Sequence, residues 1–150
     1  MPGYGVLDAA HGAGLLHWKR IREQMTRARN YWVATTRADG RPHCVPVWGI
    51  WFEEIFYFAT GATSQKARNL AANPAIAVHL ESGDEVTILE GVAESITDAD
   101  LRMRLDHAYY AKYHTHLDDN PVFAVRPRVA FAWQEHDFPG SATRWKFQSP

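Results

Sequence analysis

The chain has 150 residues, 46% hydrophobic and 22% charged, which is the make-up of a globular domain able to bury one core and not that of a disordered segment. A formal net charge of -1 and a pI near 6.7 give no field that would collect nucleic acid, and a single cysteine, Cys44, excludes an intrachain disulfide and fits a reducing compartment. No apolar run reaches the roughly 18 residues of a membrane span, and no basic segment followed by an apolar one opens the chain, so the expected location is the cytoplasm.

Residues 1–14, rich in Gly, read as a flexible tail ahead of one domain over 15–150. Leu15, Trp18, Ile21, Met25 and Ala28 recur at helical spacing, with Lys19, Arg20, Arg22 and Glu23 on the other face. From Tyr31 the residues become β-branched and aromatic. YWVATTR, the Asp39-Gly40 turn, PHCVPVWGIWF, a Glu53-Glu54 turn and IFYFAT predict three strands of an antiparallel meander. Pro46 falls inside the second strand and cannot donate to a ladder, which predicts an edge or a bulge there.

A helix opened by Thr63-Ser64 runs to Asn73 and is stopped by Pro74. AIAVHLE is a strand. EVTILEGVAESI is a longer one, with Val86, Ile88, Val92 and Ile96 expected on one face. Thr97-x-x-Asp100 resembles a capping box, and Leu101, Leu105 and Ala108 line the helix that follows, to about Tyr113. VFAVRPRVAFAWQE and ATRWKF complete six or seven strands with two or three helices. Strands without helical crossovers predict a small antiparallel barrel, not a doubly wound sheet.

One stretch, FATGATSQKARNL from Phe58 to Leu70, joins a strand end to a helix start that carries cations. The first N–H groups of a helix lack internal partners, and the dipole is positive there. Thr60, Thr63 and Ser64 add hydroxyls, Lys66 a point charge and Arg68 a planar fork, which together suit a phosphate. Ordinary capping with a solvated Lys-x-Arg pair accounts for the same residues. Only the local cost of cations in the first turn favours an anion.

YWVATTRADGRPHCVPVWGIW, FYFATG, SQKARNL, NPAIAVHL and EGVAE, in this order, resemble the pyridoxamine 5'-phosphate oxidase-like split-barrel family. LESGDEV and ATRWKF resemble its flavin/deazaflavin oxidoreductase B branch. The resemblance covers about Leu15 to Phe147. It implies a mainly β fold with flanking helices, a six-stranded antiparallel split β-barrel. It also implies a homodimer and a groove between subunits that binds FMN or the deazaflavin coenzyme F420. The family's phosphate-binding segment falls on Thr60, Ser64, Gln65, Lys66 and Arg68, and the strand along the flavin ring on Pro46, Val47 and Trp48. Gln65 stands where many oxidases of the family carry Arg, and the basic tail of the vitamin-salvage oxidases is absent. Both departures argue against pyridoxamine phosphate as substrate. The implied function is hydride transfer between a reduced flavin or deazaflavin and a small organic substrate; a non-catalytic flavin- or haem-binding barrel is the alternative.

Other residues carry weaker patterns. His114, His116, Asp118 and Asp119 read as a polar surface loop, with a structural metal as the alternative. Tyr109, Tyr110 and Tyr113 read as core and dimer packing or as groups closing over a substrate. Trp145, between Arg144 and Lys146, reads either as the buried ring of a closing strand or as a contact to the cofactor groove. Cys44 reads as a small apolar filler of its strand, and His79 as a satisfied sheet residue. No catalytic acid or base is assigned.

Overall fold

The structure, a computed structural model, describes residues 7–8 and 15–148; the rest of the expected tail lies outside the described residues. In chain order the elements are β1 (Leu7–Asp8), α1 (Trp18–Arg27), β2 (Tyr31–Thr36), β3 (Pro42–Val47), β4 (Gly49–Phe52) and β5 (Ile55–Ala59), followed by α2 (Gln65–Ala72) and β6 (Ala75–His79). Then come β7 (Glu85–Ser95), α3 (Ala99–Tyr113), β8 (Val122–Gln134), a short 3-10 turn (Glu135–Asp137) and β9 (Thr143–Lys146). The sheet runs β1-β9-β8-β7-β6-β2-β3, with the β4–β5 hairpin joined to β8. The fold is mainly β, a curled antiparallel sheet closing into a split barrel with flanking helices. Among the described residues no helix is long and apolar enough to cross a membrane.

The split has a local cause in β8. Its first residues pair with β5, from Val125 against Phe56 to Val122 against Ala59; its later residues pair with β9, from Val129 against Lys146 to Ala132 against Thr143. Between them the register against β7 shifts: Glu90 faces Val129, but Gly91 faces Pro127, so Arg128 is the extra residue. The inward side of β8 therefore changes parity, from Val125 to Ala130 and Ala132, all buried in one core. A side chain at Gly91 would place Cβ 2.4 Å from the Arg126 carbonyl oxygen, so this close crossing needs glycine. Trp18 of α1 bridges the gap, its ring centroid 6.3 Å from that of Trp51 on β4 and 5.3 Å from that of Trp145 on β9.

Two cores result. Ile21, Met25, Val33, Phe56, Phe58 and Leu89 fill the barrel, and Ile50, Tyr57, Leu105, Leu117 and Val122 pack under α3. Two expectations, the strand count and the cap of α3, are corrected. The strand count exceeds six, because PHCVPVWGIWF breaks at Trp48 into β3 and β4, and because Leu7–Asp8, within the expected tail, pairs in parallel with β9. Pro46 sits on an edge strand in unbroken register with β2, so the edge is found and the bulge lies on β8 instead. On β7 the buried residues are Thr87, Leu89 and Ala93, whereas Val86, Ile88 and Val92 are half-exposed. Both faces of β7 are apolar, so alternation alone could not orient it. Finally, α3 is capped by Asp98, whose Oδ1 accepts from the Leu101 N–H at 3.1 Å; Thr97 lies one residue too early.

Candidate functional site

At the start of α2 the chain builds a tight frame. Ser64 is the N-cap: its Oγ accepts from the Ala67 N–H at 3.2 Å and from Thr60 Oγ1 at 2.9 Å. The Ser64 N–H donates to the Gly61 carbonyl at 3.0 Å, which closes the turn after β5. These bonds leave the N–H groups of Gln65 and Lys66 as the open donors of the helix start. No acidic residue lies in the first turn. Gln65 is built into the frame: its amide donates to Asn69 Oδ1 at 2.7 Å, and its Oε1 accepts from Arg68 Nη2 at 2.7 Å. Asn69, 2% exposed, in turn donates to Thr35 Oγ1 of β2 at 2.9 Å, which ties the helix to the sheet. Arg68 also donates to the Thr63 carbonyl at 2.7 Å, so its guanidinium braces the loop while keeping its charge there. Half-buried Lys66 meets no carboxylate among the described ion pairs.

A residue outside the motif adds to this cluster. His43 of β3 lies close enough that burial first, then Arg37 and Lys66, hold its imidazole below the usual range. Its Nδ1 is sealed from solvent with no hydrogen-bond partner among the described residues. A neutral imidazole nitrogen with no partner, beside a Lys66 that forms no ion pair among the described residues, is an arrangement suited to an anion or a polar ligand edge.

Pro46, Val47 and Trp48 reach the same end of the molecule. Gly49 pairs with Phe58, so Trp48 and Thr60 flank one end of the β4–β5 hairpin. Here α3 holds the backbone. Tyr113 Oη accepts from the Gly49 N–H at 3.0 Å and donates to the Arg29 carbonyl at 2.7 Å, and Lys112 Nζ donates to the Gly49 carbonyl at 3.1 Å and to Tyr31 Oη at 2.8 Å. The Tyr31 hydroxyl is bonded onward to the Met25 carbonyl. Trp48 stacks on Tyr113 at 4.6 Å and 5°, under the Arg29 guanidinium at 5.2 Å. Burial pushes the Tyr113 phenol up to about 12; burial and then Arg29 bring the Lys112 ammonium down to about 8. Sequence reading missed Lys112, Arg29, His43 and Asn69, because the contacts of Lys112 span 63 and 81 residues and no local spacing marks them.

The remaining candidates lie elsewhere. Within the chain Trp145 packs on the barrel core beside Trp18, not against the α2 start. His116 Nδ1 lies 2.9 Å from Asp106 Oδ2, and Tyr110 stacks on His116 at 4.4 Å. No group of three or more His, Cys, Asp or Glu residues that could hold a metal occurs among the described residues. Cys44 is exposed on β3, which corrects its reading as an apolar filler, and His79 stacks on Trp32 across the outer face of the sheet.

This arrangement belongs to a known class. A family model described as pyridoxamine 5'-phosphate oxidase matches residues 18–134, and the chain belongs to that family. Among solved structures it is similar to the conserved hypothetical protein Rv2991 from Mycobacterium tuberculosis (23% identity, TM-score 0.73, covering 80% of this chain and 86% of that one). It is similar to an F420 reductase (25% identity, TM-score 0.61, covering 73% of this chain and 94% of that one). It also shares its fold with HutZ, the haem storage protein from Vibrio cholerae (18% identity, TM-score 0.61, covering 73% and 87%). No curated protein matches.

Proposed function

We propose that this protein is an oxidoreductase that binds FMN or coenzyme F420 and transfers a hydride between the reduced cofactor and a small organic substrate. The observation that carries the reading is the start of α2: open N–H donors and an unpaired Lys66, with no carboxylate in the first turn. Ser64, Thr60 and the N–H groups of Gln65 and Lys66 would hold the cofactor phosphate. Arg68 supplies charge from its braced position, and Pro46, Val47 and Trp48 present the edge strand toward the ring. The cofactor supplies the hydride chemistry; the chain binds and orients it. Lys112 and Tyr113 fix the Trp48–Gly49 backbone, so the ring-facing strand is rigid before the cofactor arrives.

The likeness to an F420 reductase and to the deazaflavin branch favours F420 over FMN. The half-exposed outer row of Trp32, Val86, Ile88, Phe131 and Trp133 supports a homodimer, in which a second copy would cover this face. The cytoplasm remains the proposed location. A non-catalytic haem- or flavin-binding role is the second reading, favoured by the shared fold of the haem storage protein.

The test is a titration of the purified protein with FMN and with oxidised and reduced F420, followed by Trp fluorescence, beside Lys66→Ala. Tight F420 binding that weakens in the variant supports a reductase. Tight FMN binding moves the protein to the flavoprotein side. A Soret band with haem, and no flavin binding, supports the second reading.

A further inference from the structure

Beside the register shift between β7 and β8 lies a cleft that the cofactor reading leaves unused. Its volume is about 280 Å³, and it lies over the Arg128 bulge, in the split between β5 and β9. Its apolar wall is Trp18, Ile55, Val92 and Phe147, with the Trp18 and Phe147 rings 4.9 Å apart. It is separate from the α2 start. Trp48 and Thr60 flank one end of the β4–β5 hairpin, and the cleft takes in Glu53 and Glu54 at the other, four residue pairs away, or about 14 Å at about 3.4 Å per residue.

The charges around the cleft are unusual in being unanswered. Glu54 is occupied: it accepts from the Trp18 indole at 2.6 Å and from Arg22 at 2.5 Å, and so fastens α1 over the split. Glu53, Glu94, Arg126 and Arg128 also line the cleft, yet none forms an ion pair among the described residues. Two carboxylates and two guanidiniums face one space without neutralising each other. Glu53 and Glu54 also occupy left-handed backbone, at φ +50° and +67°, where Asn or Gly is the ordinary choice. The partners of Glu54 explain one carboxylate there; the cleft is what Glu53 faces.

A ligand with a single charge would meet as many like as opposite charges in this space. A ligand carrying both charges, with an apolar body between the rings, meets complementary groups throughout. We propose that this cleft is a second binding site, for a small zwitterion of the amino-acid class. The ligand carboxylate lies toward Arg126 and Arg128, its ammonium toward Glu53 and Glu94, and its body on Trp18 and Phe147.

The test compares L-phenylalanine with phenethylamine and 3-phenylpropionate, which keep the body and one charge each, by calorimetry and ligand-observed NMR on the full chain. L-Phenylalanine is expected to bind best, by at least about threefold, the size of an exposed charge contact. Arg126→Gln with Arg128→Gln should bring it down to the level of phenethylamine. Glu53→Gln with Glu94→Gln should bring it to that of 3-phenylpropionate. All four side chains are exposed, so both variants fold, and neither touches Ser64 or Lys66. Absence of L-phenylalanine binding at millimolar concentration, equal binding of the three compounds, or binding that neither double variant changes would overturn the assignment. Failure of the flavin titration would leave it standing.

Discussion

Two lysines sit beside the same edge of the barrel and are treated in opposite ways. Lys112 is satisfied: its ammonium donates to the Gly49 carbonyl and the Tyr31 hydroxyl and lies over two tyrosine rings, at 4.8 and 5.2 Å. Lys66 meets no protein acceptor among the described contacts and stands at the positive end of a helix. Both lysines are half-buried, so burial does not separate them; a cation that the fold has bonded belongs to the architecture. A half-buried cation that nothing answers is left for something the chain does not contain. The contrast separates residues that build the site from residues that would use it, and it can be attacked from both sides.

The largest expected effect is on the built side. Gly49→Ala would place Cβ 2.3 Å from Phe56 Cε1 and 2.8 Å from the Tyr57 carbonyl, and the backbone contact cannot be relieved by a rotamer. A loss of about 3 kcal/mol in urea unfolding is expected, together with loosening of the Tyr113 and Lys112 bonds to this residue. Next comes Lys66→Ala, on the open side. Losing one charge-assisted contact to a phosphate corresponds to about 2 kcal/mol, a fall of more than tenfold in cofactor affinity, with unfolding unchanged within about 0.5 kcal/mol. If Lys66→Ala instead destabilised the free protein as Gly49→Ala does, the distinction between the two lysines would be gone. Ser64→Ala belongs to both sides. It removes a cap worth about 1 kcal/mol and a proposed phosphate contact, so affinity and stability should fall together.

The open side was legible in the sequence and the built side was not. Thr60, Ser64, Lys66 and Arg68 lie within nine residues, and helix-start chemistry is local, so the start of α2 could be read from spacing, while the assignment of its residues to a phosphate came from the family resemblance. Even there, Gln65 read as a departure from the family pattern, whereas in the fold it links Arg68 to Asn69. The grip on Gly49 depends on α3, whose Tyr113 arrives from 64 residues away; the sequence could read it as packing or as a group over a substrate, not as a partner of Gly49. The succession of elements along the chain and the barrel class followed from turn signals and apolar runs; the strand order in the sheet did not. The inward face of β7 did not, because Val86 and Ile88 are as apolar as a core and only the opposed register with β8 shows which side is inside. The bulge at Arg128 carries no Gly or Pro of its own; Pro127 and Gly91 mark it only once they are seen to face each other.

The subtlest way to sharpen the contrast is pH. Burial, and then Arg29, bring the Lys112 pKa from an ordinary 10.5 to about 8 in the folded chain. Between those values the unfolded chain holds a proton that the native state has released, so stability rises with pH across the window. The groups facing Lys112 act in the other direction. Burial raises the phenols of Tyr113, to about 12, and of Tyr31, higher still, from 10.0. Above pH 10 the native state keeps protons that the unfolded chain loses, and stability falls. The expected urea midpoint therefore climbs from about pH 8 to about pH 10 and then declines. The climb is smaller than the full shift implies, because Lys112 is only half-buried and solvent screens it. Lys112→Met should abolish the climb and leave the decline. A wild-type midpoint that stays flat between pH 8 and pH 10 would mean that solvent and not the fold holds the Lys112 ammonium, and the two lysines would no longer mark a built region and an open one.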